Sequence, residues 1–271
     1  MKGEGHRIYM GHRVLPEIPM RYPEKAMAIT TDYFERQCAA IAEQNNAISL
    51  RKMIAQVGQK DAGNHQDKVA LTFDDGYRDN IEYALPLLER YNIPATIFVT
   101  TGFIDGTTCP VEPVLWDRAE DFEHYDAHRR KFKKMSPGER VKALPALSQA
   151  DIRSEYTRHF MSWKELRELI RHPLIDIGAH TVTHPVLSRL SPLQQWREIY
   201  MGHRRLRAML RDAPILFAYP YGSCSASSLL FLAMLGYKGA VTTRARTYRK
   251  ATSLFAQYKI PRFDFATSGI A

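Results

Sequence analysis

Two pairs of side chains in this sequence combine the residue types and the spacing that metal-dependent hydrolysis requires. Asp74 and Asp75 are adjacent carboxylates that follow a short apolar run. His180 and His184 are imidazoles four residues apart, and they also follow an apolar run. Adjacent carboxylates repel each other, and a bound cation, or a division of work between one ligand and one base, would account for them. Two histidines and one carboxylate form a metal site that keeps coordination positions open for catalysis.

Each pair also has a plainer interpretation. Asp75 and Gly76 fit an ordinary turn with Asp74 as a helix cap, and a single histidine is more often structural than a metal ligand. The combination of the two pairs, each at the end of an apolar run, favours the metal site over both plainer interpretations.

A third motif follows another apolar run and reads Tyr-Pro-Tyr-Gly, at Tyr219–Gly222. By itself it is typical of a strand that enters a proline turn. Beside the two pairs, Pro220 and Tyr221 would shape the wall of a cleft. A backbone N–H of this turn would then donate to a developing oxyanion.

An alternation of short strands and longer helices has to position these motifs. The sequence predicts a strand covered on both faces at 69–73 and further strands at 95–100, 175–179, 215–219 and 240–243, with helices between most of these strands. Residues 7–14 and 258–263 are predicted as further strands, and Asp32 as the cap of an early helix. Repeated βα units of this length indicate an α/β fold, either a parallel sheet or a barrel. Reactive groups gather at the carboxyl ends of the strands in such folds.

Length and composition exclude several classes of protein. The chain has 271 residues, 45% of them hydrophobic and 25% charged, which excludes collagen-like, coiled-coil and disordered chains. We expect a single domain over residues 1–271, with a long helical insertion at about 111–160 where the alternation stops. No run of eighteen apolar residues is present, so no transmembrane segment is predicted. The first residues lack the features of a signal peptide and the three cysteines form no CxxC pair, which predicts a cytoplasmic protein, free or peripheral at the inner membrane.

The positive charge is partly local. The formal net charge is +9, and residues 129–142 contain seven basic side chains and one acidic side chain. This segment is either the solvated face of an insertion or a surface that attracts an anionic partner. Candidates for the anionic partner are a phosphorylated carrier and a membrane surface. Nucleic acid fits less well, because no zinc-finger or RNA-binding signature is present.

The three motifs together resemble the polysaccharide deacetylases of carbohydrate esterase family four. The family signatures are TFDDG, H-[ST]-x-x-H and an aromatic-proline motif, and they occur here in the family's order at Thr72–Gly76, His180–His184 and Tyr219–Gly222. The resemblance covers roughly residues 67–110 and 160–265. It implies a distorted (β/α) barrel of about seven parallel strands that binds one divalent metal ion, with zinc as the expected metal.

The same resemblance implies roles for individual residues. Asp75, His180 and His184 correspond to the metal ligands, and Asp74 corresponds to the general base. The backbone N–H of Tyr221, next to Pro220, corresponds to the oxyanion donor.

Two departures from the family pattern indicate a subgroup. Ala218 stands where the aromatic-proline motif usually carries an arginine, and no histidine follows His203 to serve as the C-terminal general acid. The segment Tyr9–Val14 resembles a strand end near the N-terminus of circularly permuted members, such as the bacterial poly-N-acetylglucosamine deacetylases. That resemblance implies that His12 is the general acid. The alternative is that His12 is an ordinary surface histidine.

The function that the resemblance implies is a metal-dependent N-deacetylase, a hydrolase of carbon–nitrogen bonds other than peptide bonds. Its substrate would be an N-acetylated amino sugar in a polysaccharide, an oligosaccharide or a carrier-linked glycan precursor. A close alternative is a deformylase or deacetylase of a lipid-linked sugar or a small aminoglycoside. An alternative of another class is a non-catalytic carbohydrate-binding module, which would be favoured if an aspartate or a ligand histidine were missing, and none is.

Overall fold

The computed structural model describes residues 5–18, 27–57, 67–108, 110, 122–135, 139, 157–210, 215–249 and 255–269. Its nine strands, within those ranges, are β1 (Arg7–Gly11), β2 (Arg13–Leu15), β3 (Ala28–Thr30), β4 (Val69–Phe73), β5 (Ala95–Val99), β6 (Ile175–Ala179), β7 (Leu216–Ala218), β8 (Gly239–Val241) and β9 (Phe263–Asp264). Seven of them form one sheet in the order β8-β7-β6-β5-β4-β1-β9, and every neighbouring pair is parallel. The strands β2 and β3 form a separate parallel pair.

Helices connect the strands. In the described ranges they are α1 (Thr31–Gln44), α2 (Leu50–Val57), α3 (Leu85–Arg90), α4 (Thr101–Ile104), α5 (Phe122–Lys134), α6 (Trp163–Leu169), α7 (Pro192–Met209) and α8 (Ala226–Met234). A π-helical turn, Asn80–Ala84, leads into α3. The alternation and the parallel sheet confirm the predicted distorted (β/α) barrel of seven parallel strands.

The predicted cap of α1 at Asp32 is wrong. The helix is capped by Thr30, whose hydroxyl accepts a hydrogen bond from the Tyr33 amide. Thr30 ends β3 with extended backbone, as a cap residue requires, whereas Asp32 already lies in the first turn. There its negative charge favours the N-terminus of the helix by interaction with the helix dipole.

Two predicted strands differ from the structure in their bounds. The segment 7–14 is divided at His12, because β1 belongs to the seven-stranded sheet and β2 pairs with β3. The segment 258–263 is not a continuous strand. Ile260 forms a single parallel bridge with Val241 of β8, and pairing with β1 starts only at Phe263.

The chain from Ile260 to Asp264 therefore passes from one edge of the sheet to the other. Ile260 pairs beside β8, and Asp264 pairs with β1 at the opposite edge. This crossing brings the two edges together and gives the sheet its barrel form. It also makes the first and last strands of the chain neighbours, which is what allows a residue near the N-terminus to reach the same end of the barrel as the C-terminal segment.

The core lies between the sheet and the helices. Every residue of β4 and β5 is buried, as expected for strands covered on both faces. On one face Phe34 of α1 packs edge-on against Phe73 of β4, with ring centroids 5.7 Å apart. This packing holds the carboxyl end of β4, where the double aspartate begins, in a fixed position.

The predicted insertion at about 111–160 contains α5. Residues 111–121 and 140–156 lie outside the described residues, and so does Cys109. Of the basic segment 129–142, the structure describes 129–135 and 139. In the described ranges, no helix has both the length and the apolar character needed to cross a membrane.

Candidate active site

A pocket of about 340 Å³ lies where the carboxyl ends of the strands meet. The side chains that line it come from sequence positions far apart, because β1 and β4 are neighbours in the sheet and β6 lies on the other side of β5. Six of the seven predicted site residues line this pocket: His12, Asp74, Asp75, His180, His184 and Tyr221. The seventh, Pro220, is buried in the adjoining turn and is not part of the lining.

Asp74 is bound by a guanidinium group that comes from the far end of the chain. Arg262 Nη1 donates to Asp74 Oδ1 at 2.8 Å, and Nη2 donates to Oδ2 at 2.7 Å. The arginine side chain is completely buried, and it also donates to the Thr72 hydroxyl and to the Thr242 carbonyl. A bidentate pair of this kind fixes the plane of the carboxylate as well as its position.

The electrostatic result is that Asp74 stays ionised. Burial alone raises the pKa of Asp74, but the charge and the hydrogen bonds of Arg262 outweigh burial and hold this pKa well below its usual range. The carboxylate can therefore accept a proton from a neighbouring group over a wide pH range. Its strong pairing also lowers its basicity.

Asp75 faces the two histidines. Its Oδ1 is 3.6 Å from His180 Nε2 and 3.5 Å from His184 Nε2, and one ligand atom from each residue lies within 4.8 Å of the others. Bonds of about 2.1 Å to a tetrahedral ion place its ligand atoms roughly 3.4 Å apart. The donor types and their separations therefore fit a divalent ion. Among the described residues this is the one group of three histidine, cysteine or acidic side chains whose ligand atoms lie this close together.

His180 is prepared to be a neutral ligand. Its Nδ1 lies 2.7 Å from the Ala218 carbonyl oxygen, which can only accept, so Nδ1 carries the proton and Nε2 presents a lone pair towards Asp75. Burial lowers the pKa of His180 to about 4, in spite of the nearby negative charge of Asp74. The imidazole is thus unprotonated near neutral pH, as metal binding requires.

The loop that carries the histidines has an unusual backbone. Thr181 and His184 have positive φ angles of 66° and 54°, which non-glycine residues adopt only when their surroundings compensate. Glu198 of α7 supplies that compensation. Its Oε2 accepts from the Val182 and Thr183 amides at 3.0 and 2.9 Å, and its Oε1 accepts from the Thr183 hydroxyl.

His12 lies at the junction of β1 and β2. Its backbone carbonyl accepts a hydrogen bond from the Asn80 amide group at 2.9 Å. The next residue, Arg13, is paired with Asp79, which also accepts from the Val14 amide. The imidazole Nδ1 of His12 is buried and has no hydrogen-bond partner among the described residues. A residue of the π-helical turn therefore holds the backbone of His12, while its imidazole ring lines the pocket.

Tyr221 and Asp264 complete the lining near the predicted catalytic groups. Tyr221 has a φ of 57°, and its ring meets that of His184 edge-on at 4.7 Å. Asp264 lies in β9, next to β1. Burial raises its pKa, and the positive charge of a protonated His12 acts in the opposite direction, so the two side chains are close enough to interact.

Sequence reasoning missed three residues that this geometry depends on. Arg262, Asp264 and Glu198 belong to no motif that was recognised. Arg262 was the most detectable, because it lies inside a segment predicted as a strand, and an arginine that is buried in a strand needs an anionic partner. The partner itself, Asp74, is 188 residues away and cannot be identified from local sequence.

Comparison with known proteins adds to this geometry. The sequence profile described as polysaccharide deacetylase matches residues 61–240. The chain is 22% identical over 192 residues to Bacillus subtilis YxkH, whose name places it among the polysaccharide deacetylases, with 71% of this chain and 50% of that protein covered. It is 21% identical over 245 residues to the Escherichia coli poly-beta-1,6-N-acetyl-D-glucosamine N-deacetylase, with 79% of this chain and 30% of that protein covered.

The chain thus spans half or less of the length of these two relatives. Among solved structures, the deacetylase PplD of Streptococcus pyogenes in complex with acetate has a similar fold, with a TM-score of 0.69 and 21% sequence identity. The similarity covers 96% of this chain and 92% of that one.

Proposed function

Because this chain belongs to the polysaccharide deacetylase family, we propose that it is a metal-dependent hydrolase that removes N-acetyl groups from an amino sugar in a polysaccharide, an oligosaccharide or a carrier-linked glycan precursor. One observation carries the proposal. A single pocket contains an Asp-His-His group that fits a divalent ion and, beside it, a carboxylate outside that group that remains ionised. Metal-dependent amide hydrolysis uses both parts, the ion to polarise the carbonyl and the base to take a proton from the attacking water.

Asp75, His180 and His184 would hold the metal ion, and zinc suits two imidazoles and one carboxylate. Bound there, the ion would polarise the acetyl carbonyl and lower the pKa of a water molecule. The neutral state of His180 and the bonds of Glu198 to the histidine loop support this assignment, because both keep the ligands in place before any ion binds.

Asp74 would be the general base. Its carboxylate would take a proton from the attacking water as the carbon–oxygen bond forms. Arg262 would act as a positioning residue, since it holds both oxygens of the carboxylate and is not part of the pocket lining. Its pairing keeps Asp74 ionised at the cost of basicity, so the water must already be acidified for the transfer to proceed.

His12 and Tyr221 would act on the later part of the reaction. The tetrahedral intermediate bears a negative oxygen, and the Tyr221 backbone N–H would donate a hydrogen bond to it. A protonated His12 would then give its proton to the sugar nitrogen as the carbon–nitrogen bond breaks. The products are acetate and a free amine. Asp74 ends the reaction protonated and His12 ends it unprotonated, so both groups must return to their starting states before the next turnover. Asp264 would stabilise the protonated His12 by charge.

The name of the Escherichia coli relative supports N-acetylglucosamine as the first sugar to test. The experiment measures acetate release from N-acetylglucosamine oligosaccharides of increasing length and from their lipid-linked forms, and formate release from matched N-formyl sugars. Each is assayed with metal-replete protein, with chelator, and after zinc is restored. We expect acetate release that chelator abolishes and zinc restores.

Metal analysis gives an independent measurement. We expect about one equivalent of zinc or a similar ion in the purified protein. The combined variant His180→Ala/His184→Ala should contain none, and the exposed His128→Ala is the matched control. Chelator-resistant hydrolysis, or metal that survives loss of both histidines, would show that the assigned ligands are wrong.

A further inference from the structure

The helix α5 places two cationic side chains on the wall of the pocket. Arg129 and Lys133 both line it, and a spacing of four residues puts them on the same face of the helix. The Lys133 ammonium lies 4.7 Å from the centre of the Tyr221 ring, which in turn lies 4.7 Å from the His184 ring. One of the two cations is therefore a single aromatic ring away from the metal-ligating histidine.

Three carboxylates line the pocket together with these two cations. Asp74 is paired with Arg262, Asp75 belongs to the group that would hold the metal ion, and Asp264 lies in β9. With a divalent ion bound to Asp75 and the two histidines, the charges of the described lining residues, of Arg262 and of the ion would sum to a net positive value. Asp126, one turn before Arg129, accepts from its guanidinium at 3.0 Å and also pairs with Arg130, so it orients Arg129 without being dedicated to it.

We infer that Arg129 and Lys133 bind a phosphate group of the substrate, and that the preferred substrate is an N-acetylated amino sugar with a phosphate close to the acetylated ring. The inference rests on the proposed deacetylase function. Two cations on one helix face match the charge of a phosphate monoester, about −1.5 to −2 at neutral pH. Arginine forms paired hydrogen bonds to phosphate oxygens, and lysine adds a point charge.

A purely structural role for Lys133 makes a different prediction. Its contact with the Tyr221 ring would then only stabilise the turn that contains the oxyanion donor. Loss of Lys133 would slow hydrolysis of every substrate by the same factor. A phosphate-binding role changes the ratio between phosphorylated and neutral substrates, and this ratio is what the experiment measures.

The substrates are N,N′-diacetylchitobiose and the same disaccharide phosphorylated at C1 or at C6. The C1 phosphate stands where a carrier would be attached, and the C6 phosphate is a substituent of the sugar itself. We expect at least one phosphorylated form to have a kcat/KM about tenfold or more above that of the neutral sugar, mainly through KM, since one charge-assisted contact corresponds to roughly that factor. The ratio should decrease as salt concentration rises.

Two double variants separate the pocket cations from charge in general. Arg129→Gln/Lys133→Gln should bring the ratio close to one. Arg130→Gln/Lys131→Gln removes the same charge from the same helix at exposed positions outside the pocket lining, and the ratio should stay at the wild-type value. Circular dichroism confirms that both variants are folded.

Direct binding to the metal-replete protein provides a readout other than activity. Glucose 6-phosphate and glucose 1-phosphate lack an acetamide, and calorimetry should detect binding of at least one of them but not of glucose. The signal should be lost in Arg129→Gln/Lys133→Gln only. Absence of acetate release from all three disaccharides would refute the proposed function. The calorimetric binding of the two glucose phosphates would still show whether Arg129 and Lys133 bind a phosphate group. An equal kcat/KM for neutral and phosphorylated sugars, or an equal loss in both double variants, would overturn the inference.

Discussion

Asp74 and Asp75 are neighbours in the chain, but their carboxylates lie in contrasting surroundings. Both side chains are almost completely buried. Asp74 has both oxygens bound to the Arg262 guanidinium, whereas Asp75 faces two imidazoles at 3.5 and 3.6 Å. The first carboxylate is neutralised by a cation that belongs to the protein. The second is arranged with two imidazole nitrogens, of which the one on His180 is unprotonated, and this is the arrangement that binds a cation from outside.

This contrast explains how two adjacent buried carboxylates are tolerated. Two adjacent carboxylates repel each other, and this repulsion raises the pKa of one of them and favours its protonated form. Arg262 removes the problem for Asp74 without occupying the position between Asp75 and the histidines. Asp75 has a positive φ of 76°, and its carboxylate faces the histidines whereas that of Asp74 binds Arg262. One aspartate can therefore serve as a base while the other serves as a ligand.

The same substitution at the two aspartates should break the contrast in different ways. Asp75→Asn should lose bound metal and, with it, acetate release. Asp74→Asn should retain the metal and lose about 10²–10⁴-fold in rate, because the general base is removed. Metal content by elemental analysis and acetate release by a coupled assay check both variants. Metal loss in both, or in Asp74→Asn alone, would contradict the division of roles.

His12 tests whether proton donation is separate from both aspartates. His12→Ala should fold normally, keep its metal and lose about 10²–10⁴-fold in amide hydrolysis. Hydrolysis of 4-nitrophenyl acetate should decrease much less, because that leaving group needs no proton. Asp74→Asn should slow both substrates, and the exposed His128→Ala should slow neither. An equal loss of amide and ester hydrolysis in His12→Ala would place the proton donor elsewhere.

Removal of the internal cation should have the largest effect on stability. Arg262→Met leaves Asp74 as an uncompensated buried charge, and we expect a loss of about 3–5 kcal/mol in the free energy of unfolding at neutral pH. Urea denaturation measures this loss. The double variant Arg262→Met/Asp74→Asn removes both charges and should recover part of it. If the double variant is no more stable than Arg262→Met, the pairing is not the source of the loss.

The stability loss in Arg262→Met should depend on pH, and its direction follows from the pKa of Asp74. In the wild type the folded-state pKa of Asp74 is below the unfolded value of about 3.9, so this pairing stabilises the fold above that pH, and the stabilisation is lost as pH falls through the folded pKa. Without Arg262, burial raises the folded-state pKa above the unfolded value. The stability deficit of Arg262→Met should therefore increase as pH rises from about 4 towards neutrality. A deficit that is independent of pH would contradict this explanation.

A smaller effect is expected at the loop that carries the histidines. Glu198→Ala removes the acceptor for the Val182 and Thr183 amides, so the left-handed backbone of the loop loses its support. We expect metal affinity to fall by about 10–100-fold, the usual range for a group that orients metal ligands. Competition with a fluorescent zinc chelator measures the affinity. Glu168→Ala, an exposed glutamate on α6, is the control. Unchanged affinity in Glu198→Ala would show that the loop is held by other contacts.

The local parts of the structure could be predicted from the sequence. The apolar run of β4 involves residues within a few positions of one another, and the strand was found where it was predicted, at 69–73. The motif residues could be assigned to strand ends for the same reason. The last strand was misplaced because its apolar pattern begins at residue 258, whereas its partner changes from β8 to β1 between Ile260 and Phe263.

The candidate site shows the same limit. Its histidines and aspartates were recognisable because each lies in a short motif, and the repeated βα units indicated the parallel strands that carry them. Ala218, in place of the usual arginine of the aromatic-proline motif, indicated only a subgroup. The structure shows that Asp74 is bound by Arg262, which belongs to a different element and which no spacing rule connects to Asp74.

The sequence by itself determined which groups are available for chemistry, the strand ends that carry them and the family that uses them. Those properties depend on residue type and on short spacing along the chain. Only the tertiary structure decided that Asp74 is neutralised by Arg262 and that His180 presents an unprotonated Nε2 to the pocket. It also decided that α5 brings two cations to the pocket. Burial and charge pairing arise between residues brought together by closure of the sheet. The strength of an electrostatic interaction depends on that distance in space and on exclusion of water, not on separation in the sequence.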